Sequence, residues 1–234
     1  GSGARPTATT MTFSGAVQDV GMGTAFSCAL QGTAVNCRGL DNSGQLGRGT
    51  IGGGVSDGPA QPVTGLAASQ LSVGPSFACA TRTNNRAFCW GDNASGQLGN
   101  TGPADSATPI AIAPLTNAIM VSAGSRHACG IQRATGGATS GQVWCWGRNA
   151  EYQTGGASPG MNVAPNMVTG LDDAVSVAAY TTHSCAIRAG GQVVCWGTNA
   201  NYQLGDGTTT NSATPVNVVG LTDATALGTG GVES

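Results

Sequence analysis

Hydrophobic residues in this chain come in short alternating runs, each closed by turn-forming residues. One recurring form is Ala118-Ile119-Met120-Val121-Ser122-Ala123-Gly124; others are His183-Ser184-Cys185-Ala186-Ile187 and Gly191-Gln192-Val193-Val194-Cys195-Trp196-Gly197. Short runs with period-2 alternation, bounded by Gly, Asn and Pro, predict β-strands. Their order is constant. An apolar run ending in Gly or Ala is followed by a strand holding a cysteine, a polar turn, a second cysteine strand and a Gln-Leu-Gly segment. A variable loop then leads into Thr214-Pro215-Val216 or its equivalent. This predicts about four short strands per unit, the last an outer edge strand, where proline's missing N–H does no harm.

The turns preceding each first strand, Gly15-Ala16, Gly65-Leu66, Pro114-Leu115, Gly170-Leu171 and Gly220-Leu221, are 50, 49, 56 and 50 residues apart. Self-similarity at this period is the mark of a propeller or solenoid whose repeats each form one supersecondary unit. The units run over 15–64, 65–113, 114–169 and 170–219, with a partial one at 220–234 and a tail at 1–14. The third is longer because its hairpin carries an insertion at 134–141, read as a tolerated loop or a functional one. Thr222–Gly228 matches the first strand of a unit, and Val17–Gly21 begins in the same phase. The two stretches duplicate one strand, so the expectation is either part of a longer protein or an unusual closure.

Composition agrees with an array of short strands. There are 39 Gly and 10 Pro residues, and only 9% of residues are charged, too few for a disordered chain. All nine basic residues are scattered arginines and the net charge is −2, so no basic face for nucleic acid is expected. The absence of Lys and the abundance of Ala and Gly suggest the coding bias of a GC-rich bacterial genome. No apolar run reaches the roughly 18 residues of a membrane helix. The opening Gly1–Arg5 lacks the apolar core of a signal peptide.

Eight cysteines form four pairs, Cys28/Cys37, Cys79/Cys89, Cys129/Cys145 and Cys185/Cys195, each bracketing a hairpin turn. Partners on adjacent strands face one another at about 4.5–5.5 Å between Cα atoms, within disulfide range. Free core thiols and zinc are the alternatives, and the spacings do not match the cysteines two to four apart that structural zinc favours. Disulfides place the protein in an oxidising compartment: secreted, periplasmic or cell-surface. A Trp-Gly pair follows a cysteine at Trp90-Gly91, Trp146-Gly147 and Trp196-Gly197, with Arg38 at that position in the first unit. Neighbours in a strand point to opposite faces. Each Trp is therefore expected to pack on one adjoining unit and each disulfide to face the other, with looser packing at Arg38; a row of binding aromatics is the alternative. Asn93-Ala94-Ser95 fits the N-glycosylation sequon.

The recurring apolar strand ending in Gly, followed by His-x-Cys-Ala-Ile, Val-x-Cys-Trp-Gly-x-Asn and Gln-Leu-Gly, resembles the repeats of the regulator of chromosome condensation family over nearly all of residues 15–234. The resemblance implies an all-β fold, a β-propeller of four-stranded antiparallel blades, usually seven. His127 and His183 hold the family's His position, which is Phe26 and Phe77 in the first two units; Tyr152 and Tyr202 depart from Gly44 and Gly96. The family's name suggests nucleotide exchange on a nuclear GTPase and chromatin binding, which need a reducing compartment and, for chromatin, a basic surface. The cysteine pairs and acidic balance argue against transferring either.

No catalytic role is expected. The two histidines occupy equivalent repeat positions, Asp172 and Asp173 are strand neighbours that face apart, and no phosphate loop or metal cluster is seen. No cofactor is expected. The favoured reading is an extracellular scaffold that binds another protein through its loops. Its candidate surface is the 134–141 insertion with Arg126, Trp144, Tyr152, Tyr180 and Tyr202, aromatic and Arg side chains being those that dominate interface hot spots. The alternatives are a glycan-binding adhesin, one weak site per repeat giving avidity, and self-association through the strand edges at 17–22 and 222–228. The cysteine reading predicts no titratable thiol in the unfolded, unreduced protein; a thiol-reagent assay that counts eight would refute it.

Overall fold

The structure, a computed structural model, describes residues 15–52, 54–100, 102–134, 138–161 and 163–228. The tail at 1–14 lies outside the described residues, as do 229–234 and the centre of the insertion, 135–137. Fifteen strands form among the described residues, with no helix: β1 (Val17–Met22), β2 (Phe26–Gln31), β3 (Ala34–Leu40), β4 (Val55–Val73), β5 (Phe77–Arg82), β6 (Ala87–Gly91), β7 (Ser106–Ala111), β8 (Ala118–Ala123), β9 (His127–Arg133), β10 (Gly141–Gly147), β11 (Val163–Met167), β12 (Ala174–Ala179), β13 (His183–Arg188), β14 (Val193–Gly197) and β15 (Ser212–Asn217).

They pair antiparallel in two sheets. One has the order β1-β2-β3-β4-β5-β6-β7, and the other β15-β14-β13-β12-β10-β9-β8 with β11 added to β10. β4 is long because it serves two units. Its first part pairs with β3 and its last part, Ala68 to Val73, with β5. Between the parts lies the turn expected at Gly65, whose φ of +66° only glycine adopts freely. β12 touches β10 at a single pair, Gly141↔Ala174. The chain thus forms four consecutive four-stranded units: β1 to early β4, late β4 to β7, β8 to β11, and β12 to β15. The prolines of β4, β7, β11 and β15 all fall on outer strands, as their missing N–H requires.

The second and third strands of each unit carry a disulfide as a rung of the ladder. Cys28–Cys37, Cys79–Cys89, Cys129–Cys145 and Cys185–Cys195 are directly opposed, their Cα atoms 4.0 to 4.1 Å apart. Facing residues already held by backbone pairing need little further movement to form the bond, which removes loop-closure entropy from the unfolded chain.

The core is divided among the contacts between units. Cys28, Cys37 and Leu46 of unit 1 pack with Leu71 and Trp90 of unit 2. Cys79, Cys89 and Leu98 of unit 2 pack with Val121 and Trp146 of unit 3. Cys129, Cys145 and Val168 of unit 3 pack with Val177 and Trp196 of unit 4. Units 2, 3 and 4 therefore each have a front face bearing the disulfide and a back face bearing the indole, the arrangement that alternation along the strand predicts. The indoles of Trp90, Trp146 and Trp196 are fully buried and donate to the backbone oxygens of Gln45, Gln97 and Gln153 at 3.0, 2.9 and 3.0 Å. Arg38, at the same position in unit 1, is only half-buried.

The Gln-Leu-Gly segment, which is Gln153-Thr154-Gly155 in unit 3, is held by a side chain that folds back on its own loop. Asp41, Asn93, Asn149 and Asn199 each accept, through a side-chain oxygen, the N–H five residues on: Leu46, Leu98, Thr154 and Leu204. This is the turn chemistry that Asx residues supply. It also closes the glycosylation sequon, because Asn93 is buried and its amide donates to Asn100, Gly102 and Ala104.

Removing a fully buried indole leaves a large cavity, so Trp146→Ala is expected to cost about 3–5 kcal/mol. Trp144→Ala, two residues away and half-exposed, is expected to cost less than half of that. Urea denaturation of the two variants measures the difference, and equal losses would refute the partition of faces.

Candidate binding face

The first strands of the four units, β1, late β4, β8 and β12, lie side by side and wall a groove of about 430 Å³. It is lined by Asp19, Met22, Gln70, Met120, Ser125 and Tyr180 among others. Side chains of one wall strand satisfy the free peptide groups of the next. The Gln70 amide accepts from Val121 N at 3.1 Å and donates to Val121 O at 3.0 Å. Ser72 Oγ accepts from Ala123 N and Ser122 Oγ from Ala179 N, at 2.9 and 3.0 Å. The groove's wall is thereby fixed in register without continuous sheet pairing.

At one end of the groove the wall strands close on each other. A Cβ at Gly74 would stand 2.6 Å from Gly124 O, and one at Gly124 would stand 2.5 Å from Tyr180 O. Only a residue without a side chain allows this approach. In unit 4 the equivalent residue is Tyr180. Its ring stacks on His183 with centroids 4.6 Å apart, and its hydroxyl donates to Gly228 O at 2.8 Å. Burial raises the Tyr180 pKa and lowers that of His183.

His127, the equivalent of His183 in unit 3, is sealed from solvent. Its Nε2 lies 2.8 Å from Ser184 Oγ, which itself donates to Gln153 O at 2.9 Å. With the serine proton committed to that carbonyl, Nε2–H is the donor and the ring is neutral. Burial lowers the His127 pKa to about 3, with a smaller contribution from His183. The chain His127–Ser184–Gln153 ties unit 3 to unit 4.

Four of the sequence candidates share one end of the molecule. Exposed Arg126 sits in the β8–β9 turn, whose backbone accepts Arg148 N, and Tyr180 sits in the β12–β13 turn. Tyr152 and Tyr202 lie in the loops that follow β10 and β14, where these strands end at the same edge. The described ends of the 134–141 insertion, residue 134 and residues 138–141, lie where β9 meets β10, at the opposite end of these strands. Trp144 lies midway along β10, half-buried against the contact between units 2 and 3, with its Nε1 buried and unpartnered.

Sequence reasoning noticed that Tyr152 and Tyr202 replace glycines; the backbone shows what this means. Gly44 and Gly96 have φ of +76° and +74°, and the tyrosines keep the same left-handed conformation at +65° and +61°. For a bulky residue that conformation costs about 1–2 kcal/mol. Gln70, Ser72 and Ser122 were missed, because a polar residue in an apolar run carries no mark of the neighbouring strand it serves.

Comparison with known proteins places the architecture. The model of the Regulator of chromosome condensation (RCC1) repeat matches residues 84–131 and 190–231, and a second model of the same repeat matches 68–97 and 174–203. Together they cover just over half of the chain. It belongs to the RCC1 repeat family. Solved structures agree in fold. Human WBSCR16 superposes with a TM-score of 0.73 at 21% identity, over 88% of this chain and 55% of that one. Prp20p from Saccharomyces cerevisiae gives 0.74 at 21% identity, over 88% and 51%. Yeast RCC1 (Prp20) bound to Kap60 gives 0.73 at 21% identity, over 88% and 50%. The chain spans about half the length of these structures.

The environment of His127 sets a pH dependence. Above pH 6.5 the ring is neutral in both folded and unfolded chains. Below it the unfolded chain takes up a proton that folded His127 refuses until about pH 3, so stability falls with pH across that interval. His127→Phe, the residue of units 1 and 2, is expected to narrow the gap between urea midpoints at pH 7 and pH 4. An unchanged gap would overturn this assignment.

Proposed function

We propose that the four units are blades of a β-propeller spanning 15–64, 65–113, 114–169 and 170–219, and that the protein is a non-catalytic extracellular scaffold. It binds another protein through the rim carrying Arg126, Tyr152, Tyr180 and Tyr202. The observation that carries this reading is the pair of tyrosines in left-handed backbone. Their repeat equivalents show that glycine suffices for the loop, so the aromatic rings are kept against a conformational cost, as side chains with a role outside the fold are. Rigid elements that present loops, and aromatic and Arg side chains at their ends, suit protein recognition.

Four disulfides support an oxidising compartment, and no described helix is long and apolar enough to cross a membrane. Prp20, similar in fold, has been solved bound to Kap60 and studied for binding to Gsp1p and histones; a protein is taken as the class of partner here on that analogy, and none of those partners is carried over.

The test is the double variant Tyr152→Gly/Tyr202→Gly. Its stability is expected to stay within about 1 kcal/mol of the parent, since relief of strain offsets the gain in unfolded-chain entropy. Immobilised parent and variant are offered the secreted proteins of the source cells and, separately, a glycan array. A protein retained by the parent and lost by the variant supports the proposal. Retention that ignores the substitutions, or binding on the glycan array alone, overturns it.

A further inference from the structure

Two arginines at one end of unit 2 have no carboxylate beside them, and the neighbouring units show what their position takes up elsewhere. Near the end of the second strand, one side chain lies beside the residue just before the first strand. In unit 4 these are Arg188 and Asp173. The carboxylate oxygens stand 3.2 Å from the guanidinium Nε and 2.9 Å from a terminal nitrogen. The guanidinium also donates to Gly170 O at 3.1 Å. In unit 3 the residues are Gln132 and Asn117, a neutral pair in which Asn117 N donates to the Gln132 side-chain oxygen at 3.1 Å.

The register fixes the equivalents in unit 2. Ala68 faces Arg82 as Ala174 faces Arg188 and Ala118 faces Gln132. Thr83 N donates to Ala67 O, as Ala189 N donates to Asp173 O and Arg133 N to Asn117 O. Arg82 thus stands where Arg188 does, and Ala67 where Asp173 does. Half of the unit 4 arrangement is kept: a terminal nitrogen of Arg82 donates to Gly65 O at 2.7 Å. The carboxylate is not. Ala67 is exposed and offers no polar side chain, and Arg82 Nε, the atom that Asp173 takes in unit 4, has no partner. The Arg82 guanidinium instead lies 3.9 Å from the centroid of the Phe88 ring, and the Arg86 guanidinium 6.0 Å from the same centroid. Cation–π attraction holds both on one ring. Arg86 is exposed, and neither arginine has an ion pair among the described residues. Two like charges so placed repel, and an anion between them removes the repulsion.

We propose that Arg82 and Arg86, held on the Phe88 ring, form a carboxylate site that takes an acidic side chain of a partner protein, in the place that Asp173 fills in unit 4. The ligand class follows from the repeat, because the anion that the fold itself supplies at this position is a carboxylate. Planar guanidinium groups match that shape. An exposed ion pair is weak by itself, so the occupant is a carboxylate carried on a chain that makes further contacts. The site lies in the β5–β6 hairpin, at the opposite end of the strands from the rim, and does not rest on the rim reading.

A fluorescein-labelled poly-glutamate peptide, titrated into the full chain at low ionic strength and read by anisotropy, tests it, with acetate as competitor. Arg86→Gln and Ala67→Asp are each expected to weaken peptide binding about tenfold or more, the second because it installs the carboxylate that unit 4 already has. Both positions are exposed, so neither substitution should lower the melting temperature. Arg133→Gln removes the same charge from the same end of unit 3 and should change the affinity by less than about twofold. No binding, an equal loss in Arg133→Gln, or binding indifferent to Ala67→Asp overturns the proposal. A peptide held no more tightly per carboxylate than acetate overturns the assignment to a protein partner. None of these results bears on the rim, which the tyrosine variants test separately.

Discussion

An indole N–H buried against the carbonyl of Gln45, Gln97 or Gln153 ties each unit to the one before it, and the rest of the structure is arranged to permit that contact. A four-stranded antiparallel sheet has two faces and cannot bury either alone. The tryptophan covers the preceding unit's front face while the neighbouring cysteine, pointing the other way, supplies the floor for the following unit. The disulfide holds the floor's two strands in register, and the Asx-closed loop presents the Gln carbonyl at fixed height. Stability in such an array resides in the contacts between units more than within them.

The groove and the rim follow from the same stacking. Wall strands are brought close enough for Gln70, Ser72 and Ser122 to satisfy the next strand's peptide groups, and glycine at 74 and 124 makes the approach possible. Where a following unit is not seated, the pattern changes. Tyr180 replaces glycine and stacks on His183, and Leu221 stays partly exposed. On the rim, Tyr152 and Tyr202 keep a backbone conformation that suits glycine. Departures from the repeat also occur in the core, where His127 stands in place of phenylalanine and Thr154 in place of leucine.

The fold was legible because its signals are local and repeated. Alternation named the strands and hairpins between paired cysteines named the disulfides, both of which the structure contains. The opposite facing of Trp90 and Cys89 was legible for the same reason, as neighbours in a strand diverge. The candidate surface was legible only as an inventory. Nothing in the sequence distinguished Arg126 and the three tyrosines, which share one end of the molecule, from the 134–141 insertion, whose described ends lie at the other. Trp144 read as an exposed aromatic and proved half-buried, because its surroundings come from unit 2.

The sequence by itself determined the strands and the covalent staples, since these depend on residues within ten or twenty positions of one another. Only the tertiary structure decided which faces meet, that Gln70 serves Val121 and His127 serves Ser184, and that residues 222–228 lie unpaired on the front face of unit 4. Those relations join residues about fifty positions apart, through side chains whose partners are set by the packing of one unit on the next.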